Sequence, residues 1–225
     1  MTQNQNNVFE NGEADKYFAR NAGTHDGREA YDICLKYVKK CAPTPHTEIC
    51  ELGACDGWRL NLIRQQFASQ VFGVELSAKA CEAARAKDLE LLCEDVCFFD
   101  HKRQFDIVLV PYVFHWIDRN LLLQAVANID RHIKPGGYLI IEDFYQDDFK
   151  KVKFHHTDEE LWTYKQNYGA LFTHSGSYQL LEKDIYSYEA LQKGSMDIQK
   201  PLSEADQSAI MLLQKSDSLY EEQKI

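Results

Sequence analysis

The sequence predicts an α/β fold, a doubly wound sheet with helices on both faces, and three observations point to it. An apolar strand, Ile49-Cys50-Glu51-Leu52, runs through a turn bounded by Gly53 and Gly57 into a helical stretch from Trp58 to Phe67. A second apolar strand, Gln70 to Glu75, follows at once and ends on that carboxylate. Strand-like and helix-like segments then keep alternating as far as Glu142, the pattern of βαβ units rather than of a sandwich or a bundle.

The elements can be taken in order. Residues 1–13 are polar and asparagine-rich, so disorder is expected there, and residues 14–216 are expected to form a single domain. Within it, residues 14–45 read as an N-terminal lid and helix, with Asp15 to Asn21 carrying two aromatics and Arg20 ahead of a helix from about His25 to Lys40. Ser77 is placed to cap a helix over Ala78 to Lys87. A third strand spans Leu89 to Leu92, and a fourth, Phe105 to Val110, runs into Pro111-Tyr112-Val113-Phe114-His115-Trp116. Leu122, Val126, Ile129 and Ile133 share one face of a helix over Leu121 to Ile133. Lys134-Pro135-Gly136-Gly137 then turns into a fifth strand, Tyr138 to Glu142. Residues 144–177 read as an insertion on the carboxyl side of the sheet. In it Thr157 and Glu160 make a capping box for a helix to about Phe172. Tyr178 to Tyr188 and Ser208 to Gln214 read as the last two strands, and residues 217–225 as a flexible tail.

The first turn sets the ligand chemistry. Glycines at 53 and 57 admit positive φ and close approach of a ligand to the main chain, and the amides of the helix start face that ligand. A dinucleotide fingerprint needs G-x-G-x-x-G, but its middle and last places hold Cys55 and Trp58, which disfavours a nicotinamide oxidoreductase. Glu75, roughly 20 residues past the turn, is placed to accept both hydroxyls of a ribose.

Glu51-x-Gly53-x-x-x-Gly57 resembles motif I of the class I S-adenosylmethionine-dependent methyltransferases, with Cys55 in place of the central glycine. Cys93-Glu94-Asp95-Val96 and the Lys134-Pro135-Gly136-Gly137 turn resemble later segments of the same superfamily, in order and at similar distances. The resemblance implies a Rossmann-like, seven-stranded sheet of order 3-2-1-4-5-7-6 with the last strand antiparallel, and S-adenosylmethionine as cofactor. Glu51, Gly53, Ala54 and Gly57 would hold its methionine end, Glu75 its ribose, and Asp95 with Val96 its adenine. Leu76 and Pro111 would complete the wall, and Arg20, on a lid, would meet the methionine carboxylate. Phe154-His155-His156, Tyr164 to Tyr168, Tyr178 and the Asp15–Asn21 segment look like a subgroup found with polysaccharide, O-antigen or flagellar glycan assembly. That implies a small-molecule or glycan-linked acceptor, with a sugar oxygen foremost. The alternatives are another small metabolite, or a regulatory protein that binds the cofactor without catalysis.

An alcohol acceptor gains from a base that takes its proton as the new bond forms. Histidine suits that task near neutral pH, which makes His155, His156 and His115 the catalytic candidates. Lys150, Lys151 and Lys153 either steer an anionic acceptor or line a solvated strand edge. With a formal net charge of −10, nucleic acid is a poor partner. The chain has no long apolar run and no secretory pattern at its start, and its seven cysteines read as reduced thiols, so a cytoplasmic enzyme is expected. Cys93-x3-Cys97-x3-His101 lacks a fourth ligand, so no metal is expected.

Overall fold

The computed structural model describes residues 5–21, 23, 32–157, 159–194, 201 and 203–218. Its centre is a seven-stranded sheet of order β3-β2-β1-β4-β5-β9-β8. The parallel strands are β1 (Glu48–Leu52), β2 (Gln70–Val74), β3 (Leu91–Leu92), β4 (Phe105–Pro111) and β5 (Ile133–Phe144). β9 (Gln207–Lys215) inserts antiparallel between β5 and β8 (Tyr178–Ser187). Setting aside one accessory hairpin, this is the 3-2-1-4-5-7-6 order expected from the sequence.

Alternation along the strands feeds two core layers. Cys50, Leu52, Val108, Val110, Leu139 and Ile141 pack on one face, under α6 (Leu122–Arg131) and the aromatics Phe114, Tyr168 and Phe172. Ile49, Ile107, Leu109 and Ile140 pack on the other, against α3 (Ile33–Lys40) and α4 (Trp58–Phe67). Helix starts follow side-chain chemistry. Asp32 caps α3 by accepting from the Leu35 amide at 2.8 Å, and Ser77 caps α5 (Ala78–Arg85) by accepting from the Ala80 amide at 3.1 Å. The expected N-terminal half of the α3 region, residues 25–31, lies outside the described residues.

Three expectations change. Residues 5–13 are helical: α1 (Gln5–Val8) and a π-helical turn (Phe9–Glu13) lead into α2 (Ala14–Asn21), with Gln5, Asn6, Val8 and Glu13 buried. Polar composition suggested disorder, but here Gln5 and Asn6 bury their amides in hydrogen bonds to the body of the fold, and Glu13 pairs with Arg20 of α2. The helix expected from Thr157 to Phe172 is a hairpin of β6 (Lys150–Lys153) and β7 (Trp162–Lys165), followed by one turn of helix, α7 (Ala170–Thr173). Trp162-Thr163-Tyr164 are β-forming residues that find a partner strand. The Thr157 hydroxyl accepts from the Glu159 amide at 3.3 Å, closing a local turn instead of a helix cap. Finally, the Lys134–Gly137 turn is a bulge within β5: Phe105 pairs with Ile133, Ile107 with Tyr138, and Gly136 sits at φ 74°.

Candidate active site

The carboxyl ends of β1, β2, β4 and β5 open into a cavity of about 720 Å³, roofed by α1, α2 and the hairpin. Eight of the expected cofactor residues line it: Arg20, Glu51, Gly53, Glu75, Leu76, Asp95, Val96 and Pro111. Ala54 and Gly57 do not. Ala54 is buried behind the wall, where its amide donates to Val74 O at 3.1 Å. Gly57 (φ 72°) starts α4, and a Cβ there would lie 2.4 Å from Leu89 Cδ1, so packing requires the glycine. Gly53 (φ 71°) is confined in the same way by Val113 Cγ2, 2.5 Å from an added Cβ.

Glu51 is the most informative acid. It is fully buried at the end of β1, and its Oε1 pairs with Arg59, which also pairs with Asp32 at 3.0 Å. Its Oε2 is buried with no hydrogen-bond partner. Burial raises its pKa to about 7, against the opposing pull of Arg59. A buried carboxylate oxygen without a donor, on a residue of the cavity wall, could take a ligand cation such as an ammonium.

Glu75 is held at both oxygens, Oε2 accepting from the Cys55 amide at 2.9 Å and Oε1 from the Ser77 amide at 2.8 Å. It therefore clamps the two turns that form the crevice, and each oxygen keeps a lone pair for a ribose hydroxyl. Burial raises its pKa while these amides oppose the rise. Asp95 accepts from the Cys97 amide at 2.7 Å through Oδ1 and from Asn6 Nδ2 at 2.7 Å through Oδ2. No motif in the sequence signals that link between α1 and the crevice.

The three histidines separate clearly. His155 is exposed and lies outside the cavity wall. His156 lines the cavity but is exposed, edge-on to Phe154 at 5.1 Å. His115 is 3% exposed, lines the cavity, and bonds through Nδ1 to Asp143 Oδ1 at 2.8 Å. Asp143 also accepts from the backbone amides of His115 (3.3 Å) and Phe144 (2.7 Å). It acts as acceptor toward all three, which places the ring proton on Nδ1 and leaves Nε2 as the acceptor nitrogen of the neutral ring. Around this pair stand Trp116 (4.7 Å), Phe144 (4.9 Å) and Tyr112 (6.2 Å).

Asp143 was not singled out from the sequence. Its signal was present: Glu142-Asp143 closes a strand, and alternation sends the two carboxylates to opposite faces. Glu142 also lines the cavity and accepts from Tyr186 Oη at 2.5 Å and from the Cys34 thiol at 3.0 Å, its pKa raised by burial. The Cys93–Cys97–His101 spacing does not converge. Cys93 is exposed, Cys97 is buried beneath Asn6, and His101 packs on Phe72 at 4.4 Å. No cluster of three or more metal-ligating side chains occurs among the described residues.

Comparison with known proteins adds the family context. Residues 50–141, from β1 into β5, match the family model described as a methyltransferase domain. The 1,6-didemethyltoxoflavin N1-methyltransferase of Burkholderia thailandensis, solved with S-adenosylhomocysteine, superposes with TM-score 0.71 at 13% identity, covering 96% of this chain and 92% of that one. This is the class I methyltransferase fold. An S-adenosylmethionine-dependent methyltransferase of Clostridium acetobutylicum shares the fold at TM-score 0.59 and 13% identity, over 90% of this chain and 96% of that one. Among curated proteins, the malonyl-[acyl-carrier protein] O-methyltransferase of Priestia megaterium is 27% identical over 109 residues, which cover 46% of this chain and 39% of that protein. S-adenosylmethionine is the cofactor that goes with this methyltransferase fold. The crevice fits it at the unpartnered Glu51 oxygen, a place for its ammonium, and at the Glu75 carboxylate, open to a diol. Among the described residues no helix is long and apolar enough to cross a membrane.

Proposed function

We propose that the protein transfers the methyl group of S-adenosylmethionine to an oxygen of a small molecule, with His115 as base. What supports this is the buried His115–Asp143 pair, whose histidine lines the same cavity as Glu51 with its unpartnered oxygen. Glu51, Glu75 and Asp95 bind and orient the cofactor, which supplies an electrophilic methyl carbon. The roof of α1, α2 and the hairpin excludes water. The acceptor oxygen takes the methyl carbon as the carbon–sulfur bond breaks, and its proton passes to His115 Nε2. Asp143 steadies the resulting imidazolium.

The dyad favours an acceptor that must lose a proton. A carboxylate, already ionised at neutral pH, would need no base. A sugar hydroxyl, free or at a glycan end, meets this requirement, and the aromatic walls accept the CH faces of a sugar ring. Of the other histidines, His156 at the cavity edge is in reach of an acceptor, whereas an exposed His155 outside the cavity is left without a role in this proposal. The seven thiols, none in a disulfide, suit a reducing compartment such as the cytoplasm.

His115→Asn and Asp143→Asn test the base. Both are expected to lower kcat by about 10² to 10⁴, the usual worth of a positioned base, followed as S-adenosylhomocysteine release with hydroxylated small molecules. Calorimetric affinity for S-adenosylhomocysteine should stay as in the parent protein. Unchanged turnover in both variants would reject the dyad as the base.

A further inference from the structure

We propose that the acceptor is a ring-bearing hydroxy acid, its hydroxyl at His115, its ring against Phe144 and its carboxylate at Lys165. This rests on the methyltransferase reading and narrows it to one class of substrate. Lys165 ends β7 and lines the cavity. Its ammonium donates to Ala205 O at 2.9 Å and lies 4.8 Å from the Phe144 ring centroid. Among the described residues it makes no ion pair, although Asp206 acts on it from a distance. Burial lowers its pKa, as expected of a cation that has lost water without gaining a counter-ion. A ligand carboxylate would supply one, and a half-buried charge held by a single carbonyl is where such a partner is worth most.

Phe144 is the link between this cation and the base. Its ring centroid is 4.9 Å from that of His115 and 4.8 Å from Lys165 Nζ. A ligand one ring long, laid along that side chain, therefore reaches from one group to the other. Tyr112 and Tyr188 stand edge-on to the same phenyl ring at 5.5 and 5.0 Å, and both line the cavity. Their arrangement suits a flat or chair-shaped ring and does not suit an extended acyl chain. The basic stretch of β6 adds a long-range contribution. Lys150, Lys151 and Lys153 are exposed on either side of Val152, which lines the cavity, so they place positive potential at its rim. The other cations on the wall are committed, Arg20 to the buried Glu13 and Arg59 to Glu51 and Asp32. That leaves Lys165 as the counter-ion.

An aromatic hydroxy acid and a sugar acid share this chemistry, and binding probes separate them. Calorimetry on the full chain, with and without S-adenosylhomocysteine, would use 4-hydroxybenzoate, glucuronate and the neutral 4-hydroxybenzamide. Binding of either acid at least tenfold tighter than the amide supports the proposal, and whichever acid binds names the source. Lys165→Met should erase that preference, and Lys165→Arg should retain most of it, which separates lost charge from lost folding. Equal binding of acid and amide, binding of neither acid, or a preference that survives Lys165→Met would overturn the proposal. S-adenosylhomocysteine binding reports independently on the methyltransferase reading: if it binds and the acids do not, only the acceptor assignment falls.

Discussion

At the scale of single residues, Glu51 carries the clearest prediction. Its carboxyl titrates at about 7 because burial outweighs the help of Arg59, and a ligand ammonium needs it ionised. Affinity for S-adenosylhomocysteine should therefore climb as pH rises from 5 to about 7, by up to tenfold per unit, and level off above. Isothermal titration across that range checks it. Glu51→Gln should flatten the profile and cost roughly 10- to 100-fold at pH 8, the worth of a charge-assisted hydrogen bond. A wild-type profile with no slope below pH 7 would remove Glu51 from the ammonium site. Residues of this kind were legible when they sat in a spaced motif: Glu51, Gly53, Glu75 and Asp95 all face the crevice or shape it. Lys165 and Asp143 were not legible, because each matters through a partner remote in sequence, Phe144 or His115, that no local spacing announces. Adjacency misled in the other direction, since His155 and His156 stand side by side yet only one reaches the cavity.

At the scale of elements, the roof is held by a few amide side chains. Gln5 Nε2 donates to Trp116 O (2.7 Å) and Trp162 O (2.8 Å), its Oε1 accepts from the Trp162 amide (3.0 Å), and its own amide donates to Asp118 (3.0 Å). Asn6 spans Asp95 and Asp118. Asp15 fastens α2 to the start of α5 through Ser77 Oγ (2.7 Å) and the Lys79 amide (3.2 Å). Gln5→Ala leaves the Trp116 and Trp162 backbone groups unpaired, each worth about 1–3 kcal/mol if they stay buried. The expected result is faster amide exchange in residues 5–21 and weaker cofactor binding, with exchange in β1 and β4 unchanged. Uniform destabilisation of the whole sheet would contradict a separately opening roof. α4, bounded by the Gly57 turn, matches its sequence expectation to the residue, and β2 matches to within one residue. The hairpin and α1 do not, because both owe their form to contacts made across the fold.

For the molecule as a whole, three buried carboxyls (Glu51, Glu75 and Glu142) bind protons more tightly when folded than when unfolded, chiefly through desolvation. A raised carboxyl pKa stabilises the folded state at low pH, and that contribution is lost as pH rises. For Glu51 the loss runs from the ordinary carboxyl value of 4.5 to about 7, at no more than about 1.4 kcal/mol per pH unit. Thermal melts of wild type and Glu51→Gln should therefore converge toward pH 5 and part toward pH 8, the variant melting higher at pH 8. Added S-adenosylhomocysteine should raise the wild-type Tm more at pH 8 than at pH 5, because its ammonium neutralises the buried charge. Identical pH dependence in both proteins would contradict this account. The sheet order was legible through the resemblance of the motif I and Lys134–Gly137 turns to one superfamily, whereas the βαβ pattern alone predicts only a doubly wound sheet.

The docking of Gln5 against Trp116, Asp118 and Trp162 has a consequence for biosynthesis. During synthesis Gln5 cannot complete its seat until more than 150 further residues have emerged, Trp162 being 157 positions on. β1 to β5, whose ends line the crevice, all precede Trp162, so the crevice can take shape before its roof has a complete seat.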